Sequence, residues 1–108
     1  MTKEIKGFLR LLRELQKIDP EFPLQYAVCL AEIALNEGLS VTELSKRTGL
    51  AISTTSRIVG ALSDFRQSGP PYHLVNLKIS ETERRRKHIT LTEKGRAAIG
   101  NIARLMFS

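Results

Sequence analysis

The chain has 108 residues, 42% of them hydrophobic, which suits a single packed domain and speaks against disorder throughout. No apolar run approaches the roughly 20 residues that cross a bilayer, and Met1-Thr2-Lys3-Glu4 lacks the basic-then-apolar layout of a secretory signal. Cys29 is the one cysteine, so no intrachain disulfide can form, and a cytoplasmic protein is expected.

Thr2 is placed to cap a first helix, in which Ile5, Phe8, Leu9, Leu12, Leu15 and Ile18 recur at helical spacing and Leu11 widens the stripe. Asp19-Pro20-Glu21-Phe22-Pro23 ends it, because proline lacks an amide proton and disfavours helix in the residue before it. Pro23 can open the second helix at its first position, with Gly38 as the expected C-cap. Ser40 and Glu43 fit a capping box for a short third helix that ends at Gly49, after which Leu50 is expected to plug the core. A fourth helix is predicted from about Ile52 or Ser53 to about Gln67, with Thr55, Ile58, Val59, Leu62 and Phe65 on its inner side. After the Ser68-Gly69-Pro70-Pro71 loop the period changes to two. Val75, Leu77 and Ile79 alternate with Leu74, Asn76 and Lys78, which predicts a strand. Ser80 to Lys87 reads as a turn, and His88-Ile89-Thr90-Leu91 as the returning strand. Thr92 is placed to cap a last helix carrying Ala98, Ile99, Ile102, Leu105 and Met106.

The formal net charge of +6 is unevenly spread. Residues 1–39 hold five Lys/Arg against six Asp/Glu, whereas residues 73–96 hold seven against three. A basic surface confined to the later part of the chain implies an anionic partner. Two short helices joined by a glycine turn and followed by a basic hairpin form the outline of a winged helix-turn-helix. The second helix of such a pair fits a major groove about 12 Å wide, and the hairpin tip can lie along the neighbouring minor groove. On the fourth helix Ser53, Thr54, Ser56 and Arg57 face away from the apolar stripe. Arg57 is the long donor there, and arginine to guanine is the commonest base-specific contact. Arg84, Arg85, Arg86 and Lys87 place four adjacent cations on a short turn, an arrangement that a polyanion relieves.

These residues also carry a resemblance. Ser40 to Leu50 looks like the first helix of the MarR-family pair, and Ser53-Thr54-Thr55-Ser56-Arg57-Ile58-Val59 like its recognition helix. Glu83-Arg84-Arg85 is similar to the family's D-R-R wing, and Ile89-Thr90-Leu91-Thr92-Glu93-Lys94-Gly95-Arg96 to its L-T-x-x-G lead-in to the next helix. Gln25-Tyr26-Ala27-Val28 resembles its second helix. The resemblance implies a mainly α fold with a small β-hairpin wing. Residues 23–92 would form the winged helix-turn-helix core, and about 1–22 and 93–108 would be dimerisation helices. It further implies a homodimeric repressor of double-stranded DNA with no cofactor, open to an unidentified small-molecule effector. The expected dimer contacts are Ile5, Phe8, Leu12, Leu15, Ile102, Leu105 and Met106.

The chain departs from the family's pattern at four places. Glu83 stands where Asp is usual, and Ala51, which cannot cap, stands where Ser is frequent. Thr55 replaces a usual core valine. The Gln67–Ile79 stretch is longer than usual, which predicts an offset or extended wing. The family often continues into another helix beyond the point matching Ser108.

Cys29 lies in an apolar helix and reads as a core thiol. His73 and His88 have no partners at metal-ligand spacing, and neither a nucleophile elbow nor a phosphate-binding glycine loop is present. A non-enzymic protein is expected. The competing readings are an architectural or plasmid-maintenance DNA binder and a protein-interaction module that does not touch DNA. A binder of anionic membranes fits poorly, because the basic segment lacks a large apolar face.

Overall fold

The computed structural model describes residues 1–66, 68–79 and 87–106. In chain order they form α1 (Thr2–Ile18), α2 (Leu24–Leu35), α3 (Val41–Thr48), α4 (Ile52–Leu62), β1 (Val75–Ile79), β2 (Lys87–Leu91) and α5 (Glu93–Met106). The strands pair antiparallel from Val75↔Leu91 to Ile79↔Lys87. The arrangement is mainly helical with one small hairpin, as the sequence predicts.

One core joins α2, α3, α4 and the hairpin. It contains Cys29, Leu30 and Ile33 of α2, Leu44 of α3, and Ile58, Val59 and Leu62 of α4. Leu39, Tyr72, Leu74, Val75, Ile89 and Leu91 complete it. Thr55 is also fully buried. Its hydroxyl donates to the Ala51 carbonyl at 2.9 Å, which is how a threonine occupies an apolar position without an orphaned polar group. By contrast α1 has no buried residue and packs chiefly against α5, giving a body 50 Å long and 28 Å across.

The helix ends follow local chemistry, with several corrections. The Ser40–Glu43 capping box is formed in both directions, and Gly49 closes α3 at φ 75, a left-handed conformation that costs glycine little. The Thr92 hydroxyl accepts from the Gly95 amide at 3.0 Å and so caps α5 as expected. Thr2 does not cap α1: it is the first helical residue, and Met1 precedes it. Pro23 stands just outside α2, at φ −66 and ψ 141, rather than inside it. Gly38 is not the C-cap of α2 either. Asn36 ends that helix, its side chain donating to the Glu32 carbonyl at 3.0 Å, and Gly38 turns the chain toward α3. Its amide donates to the Ile89 carbonyl at 2.8 Å, so the α2–α3 turn leans on β2.

The largest correction concerns the end of α4, which stops at Leu62 rather than near Gln67. The amides of Tyr72, Leu74 and His73 donate to the carbonyls of Ala61, Leu62 and Ser63 at 2.7–3.0 Å. The returning chain thus satisfies the carbonyls a longer helix would have used. Phe65 consequently leaves the core and is 67% exposed. At the other end α4 starts at Ile52 with Ala51 as an N-cap lacking any side-chain bond, not later at Ser53. The alternation in β1 holds only at its first residue. Val75 is buried, but Leu77 and Ile79 are exposed, because the strand runs outward past the core; Leu74, expected on the outer side, is buried. Lys87, expected in the turn, is the first residue of β2.

Candidate nucleic-acid interface

Burial of Thr55, Ile58, Val59 and Leu62 fixes which side of α4 faces out. Ser53, Ser56 and Arg57 follow at helical spacing on that outer side and are exposed, while Thr54 is half-buried at its edge. Neither Ser53 nor Ser56 uses its hydroxyl in a hydrogen bond among the described residues, and the Arg57 guanidinium has no hydrogen bond or ion pair there. Arg57 is therefore not tied to Asp64 or Glu43, the pairing that would have made it a merely solvated charge. The N-cap of α4 makes no side-chain bond, and the amides of Ile52, Ser53 and Thr54 have no hydrogen bond among the described residues.

A groove of about 550 Å³ separates α4 from the hairpin, with Ser56 and Asp64 on one wall and Asn76, Leu77 and Lys87 on the other. Across α3, α4 and the described part of the hairpin, Lys46, Arg47, Arg57, Lys78 and Lys87 are exposed and form no ion pair with a described residue. Arg84, Arg85 and Arg86 lie outside the described residues. His88, at the end of the basic run, is occupied elsewhere: its Nδ1 donates to the Gly38 carbonyl at 2.8 Å, fixing the wing root to the α2–α3 turn.

The expected dimer contacts fall on two packed helices. Ile5, Phe8 and Leu12 of α1 are exposed, together with Leu9, and form one continuous row; Phe8 is 53% exposed. Leu15, Ile102 and Leu105 are half-buried, and Met106 is exposed. Cys29 is fully buried, and burial pushes its thiol pKa up, with Glu32 adding to the shift. No group of three or more His, Cys, Asp or Glu among the described residues is placed to hold a metal ion, and no described helix is long and apolar enough to cross a membrane.

Two polar clusters escaped the sequence reading. Glu37, after α2, receives both Arg96 guanidinium nitrogens at 2.9 Å and the Leu91 amide at 2.8 Å. The amide, then Arg96, lowers the pKa of its carboxyl. In the second cluster the Tyr72 hydroxyl donates to Asp19 Oδ2 at 2.7 Å, while Asp19 Oδ1 accepts from the Glu21 amide at 2.9 Å. These two donors, Tyr72 first, hold the Asp19 carboxyl below its ordinary value. Burial, then the Asp19 bond, pushes Tyr72 up to about 12. Arg66 lies 3.6 Å from Asp19 and 4.7 Å above the Tyr72 ring. Phe22 and Tyr26 meet that ring edge-on at 5.1 and 6.1 Å. Partners 53 residues apart leave no local pattern to find.

Comparison with known proteins agrees with this geometry. Residues 30–66 match the IclR helix-turn-helix domain, the stretch from within α2 through α4. A comparison with curated protein sequences gives no significant match. Among solved structures, Rv1404 from Mycobacterium tuberculosis superposes with a TM-score of 0.78 at 17% identity, over 98% of this chain and 68% of that one. MepR from S. aureus, solved in complex with DNA, gives 0.73 at 18% identity, over 88% and 71%. A MarR-like transcriptional regulator from Thermotoga maritima gives 0.73 at 19% identity, over 96% and 70%. The chain has the winged helix-turn-helix fold of MarR-type regulators.

Proposed function

We propose that this chain is a double-stranded-DNA-binding transcriptional regulator that acts as a two-fold dimer and represses by occupying its site. The observation that carries the reading is the outer face of α4, where Ser53, Ser56 and Arg57 stand exposed, with no side-chain partner among the described residues, beside a basic hairpin. In this reading α4 enters the major groove, Arg57 reads a base edge, and Ser53, Thr54 and the uncapped first-turn amides meet phosphate. Arg84, Arg85, Arg86 and Lys87 form the wing that reaches the minor groove or backbone. The likeness to MepR, captured on DNA, supports the same use of the fold.

Surface area supports the dimer. A compact monomer of 12.1 kDa is expected to expose about 6,000 Å², whereas this chain exposes 7366 Å². The excess, about 1,400 Å², is larger than the roughly 800 Å² that each partner buries in a standard interface. The row of Ile5, Phe8, Leu9 and Leu12, with Met106 on the adjoining helix, supplies apolar surface for it. Leu15, Ile102 and Leu105 extend that contact in the proposal.

The test is a salt titration of duplex binding for the wild type and for Arg84→Ala, Arg85→Ala and Arg86→Ala, with the mass read in parallel by light scattering. The expected mass is twice 12.1 kDa. Removing one phosphate-bound cation should flatten the logarithmic salt slope by about 0.9, and by about double that in a dimer. Absence of binding, or three variants with the wild-type slope and affinity, would move the protein-interaction reading to the front.

A further inference from the structure

The bond between Asp19 and Tyr72 joins the two halves of the molecule that the proposed function requires to act together, and two residues packed on it, Tyr26 and Arg66, line a cavity with Ser53, Ser56 and Arg57. Asp19 is the residue that ends α1, its amide bonded to the Leu15 carbonyl. Tyr72 belongs to the segment that seals the end of α4, its amide donating to the Ala61 carbonyl at 3.0 Å. The bond between their side chains therefore runs from the last turn of α1 to the last turn of α4 through two backbone hydrogen bonds, of 3.3 and 3.0 Å. Arg66 closes over the pair. Its guanidinium stacks on the Tyr72 ring, approaches Asp19, and donates to the Pro70 carbonyl at 3.3 Å, binding the loop after α4 into the same joint. Phe22 and Tyr26 pack edge-on against Tyr72 from the α1–α2 connection and from α2. Every group in the cluster has a partner, and the parts it connects are otherwise differently built. The lobe around α4 has a dense core, whereas α1 buries no residue of its own.

We propose that Tyr72 and Asp19, braced by Arg66, are positioning residues that set the angle between the α1 arm and α4, and thereby fix the separation of the two reading helices in the dimer. This rests on the dimeric DNA-binding reading above. Two half-sites on one face of a duplex lie about one helical turn, or 34–36 Å, apart. A change of one base pair moves them by about 3.4 Å and rotates them by about a tenth of a turn. A rigid joint rejects such a change, and a loose joint accommodates it. The bond is directional and charge-assisted, and it sits at the end of α1, where the chain turns toward α2.

The experiment uses Tyr72→Phe, which keeps the ring and its aromatic neighbours and removes only the hydroxyl. Asp19→Asn keeps an acceptor and removes the charge. A nitroxide on Thr42→Cys, exposed on α3, reports the distance between the two lobes of the dimer without DNA, while fully buried Cys29 stays unlabelled. The wild type is expected to give one narrow distance. Tyr72→Phe should broaden or shift it by several ångströms with unchanged mass and helical content, and Asp19→Asn should do so to a smaller degree. On duplexes selected by the wild-type protein, changing the gap between half-sites by one base pair should weaken wild-type binding by about tenfold and Tyr72→Phe binding by less than about threefold. A merely structural role would instead weaken binding equally at every spacing. An unchanged distance distribution with unchanged spacing preference, or a uniform loss at all spacings, overturns the inference while leaving the DNA-binding reading intact. A monomeric mass, or no duplex bound by the wild type, removes the reading and the inference together.

Discussion

Arg96 holds Glu37 through two hydrogen bonds of 2.9 Å, although the two stand 59 positions apart in the chain. The same carboxylate accepts the Leu91 amide, so one side chain gathers the α2–α3 turn, the end of the wing and the first turns of α5. The two partners make unequal contributions. Arg96 is largely exposed, and an exposed ion pair contributes at most about 1 kcal/mol. Glu37→Ala also leaves the Leu91 amide without its acceptor, a loss of about 1–3 kcal/mol if water does not replace it. Glu37→Ala should therefore lower the urea midpoint more than Arg96→Ala, with Glu37→Gln between them because it can still accept from Leu91.

Gly95 and Gly100 share α5 and should respond oppositely to alanine. A Cβ on Gly95 would stand 2.0 Å from the Leu74 carbonyl oxygen, a backbone atom that cannot swing aside, whereas one on Gly100 meets nothing within 4 Å. Alanine is favoured over glycine by about 1 kcal/mol within a helix. Gly100→Ala should raise stability by up to that amount. Gly95→Ala should lower it by about 2 kcal/mol or more, since α5 must lift away from the segment leading into β1. Thermal unfolding of both variants checks the pair, and a stabilised Gly95→Ala would contradict the packing described.

The Asp19–Tyr72 bond should leave a mark at each end of the pH scale. Asp19 is lowered from an ordinary value of 3.8, so its contribution is present above that value and is lost as pH falls through the lower folded one. Tyr72 is raised from 10.0 to about 12. Between those values the unfolded phenol has lost its proton while the folded one keeps it, so stability falls with rising pH across that window. Tyr72→Phe should remove this alkaline loss and weaken the acid one. Unfolding free energy measured against pH for both proteins reads the difference, and parallel curves above pH 10 would show that the folded phenol is not held protonated by its burial and its bond to Asp19.

The parts of the fold that depend on local chemistry were legible in the sequence. Ser40 and Glu43 define the start of α3, Gly49 its end, and Thr92 the cap of α5, because each acts within a few residues of itself. Periodicity also gave the inner side of α4, and with it the outward placement of Ser53, Ser56 and Arg57. What failed was set at long range. Phe65 continues the helical spacing of Ile58 and Leu62, but the carbonyls of Ala61, Leu62 and Ser63 that would extend α4 accept from the amides of Tyr72, Leu74 and His73 instead. The stretch from 67 to 79 read as an enlarged wing, yet its middle section buries Tyr72 and Leu74 and locks α4 to α1. Glu37 gives no signal in the sequence and Asp19 reads only as part of the break after α1, because their partners lie more than fifty residues away.

Arg57, exposed and without a partner among the described residues, is the residue on which sequence discrimination should turn. The most direct measurement is selection of bound duplexes from a random pool, run with the wild-type chain and with Arg57→Ala. The wild type is expected to enrich an inverted repeat whose half-sites are centred about one helical turn apart. Arg57→Ala should lose preference at one position in each half, by about 1–3 kcal/mol of discrimination, while keeping most of its affinity for unselected DNA. A wild-type pool that stays random, or an Arg57→Ala pool with the same preferred bases as the wild type, would contradict the claim that α4 reads DNA through this residue.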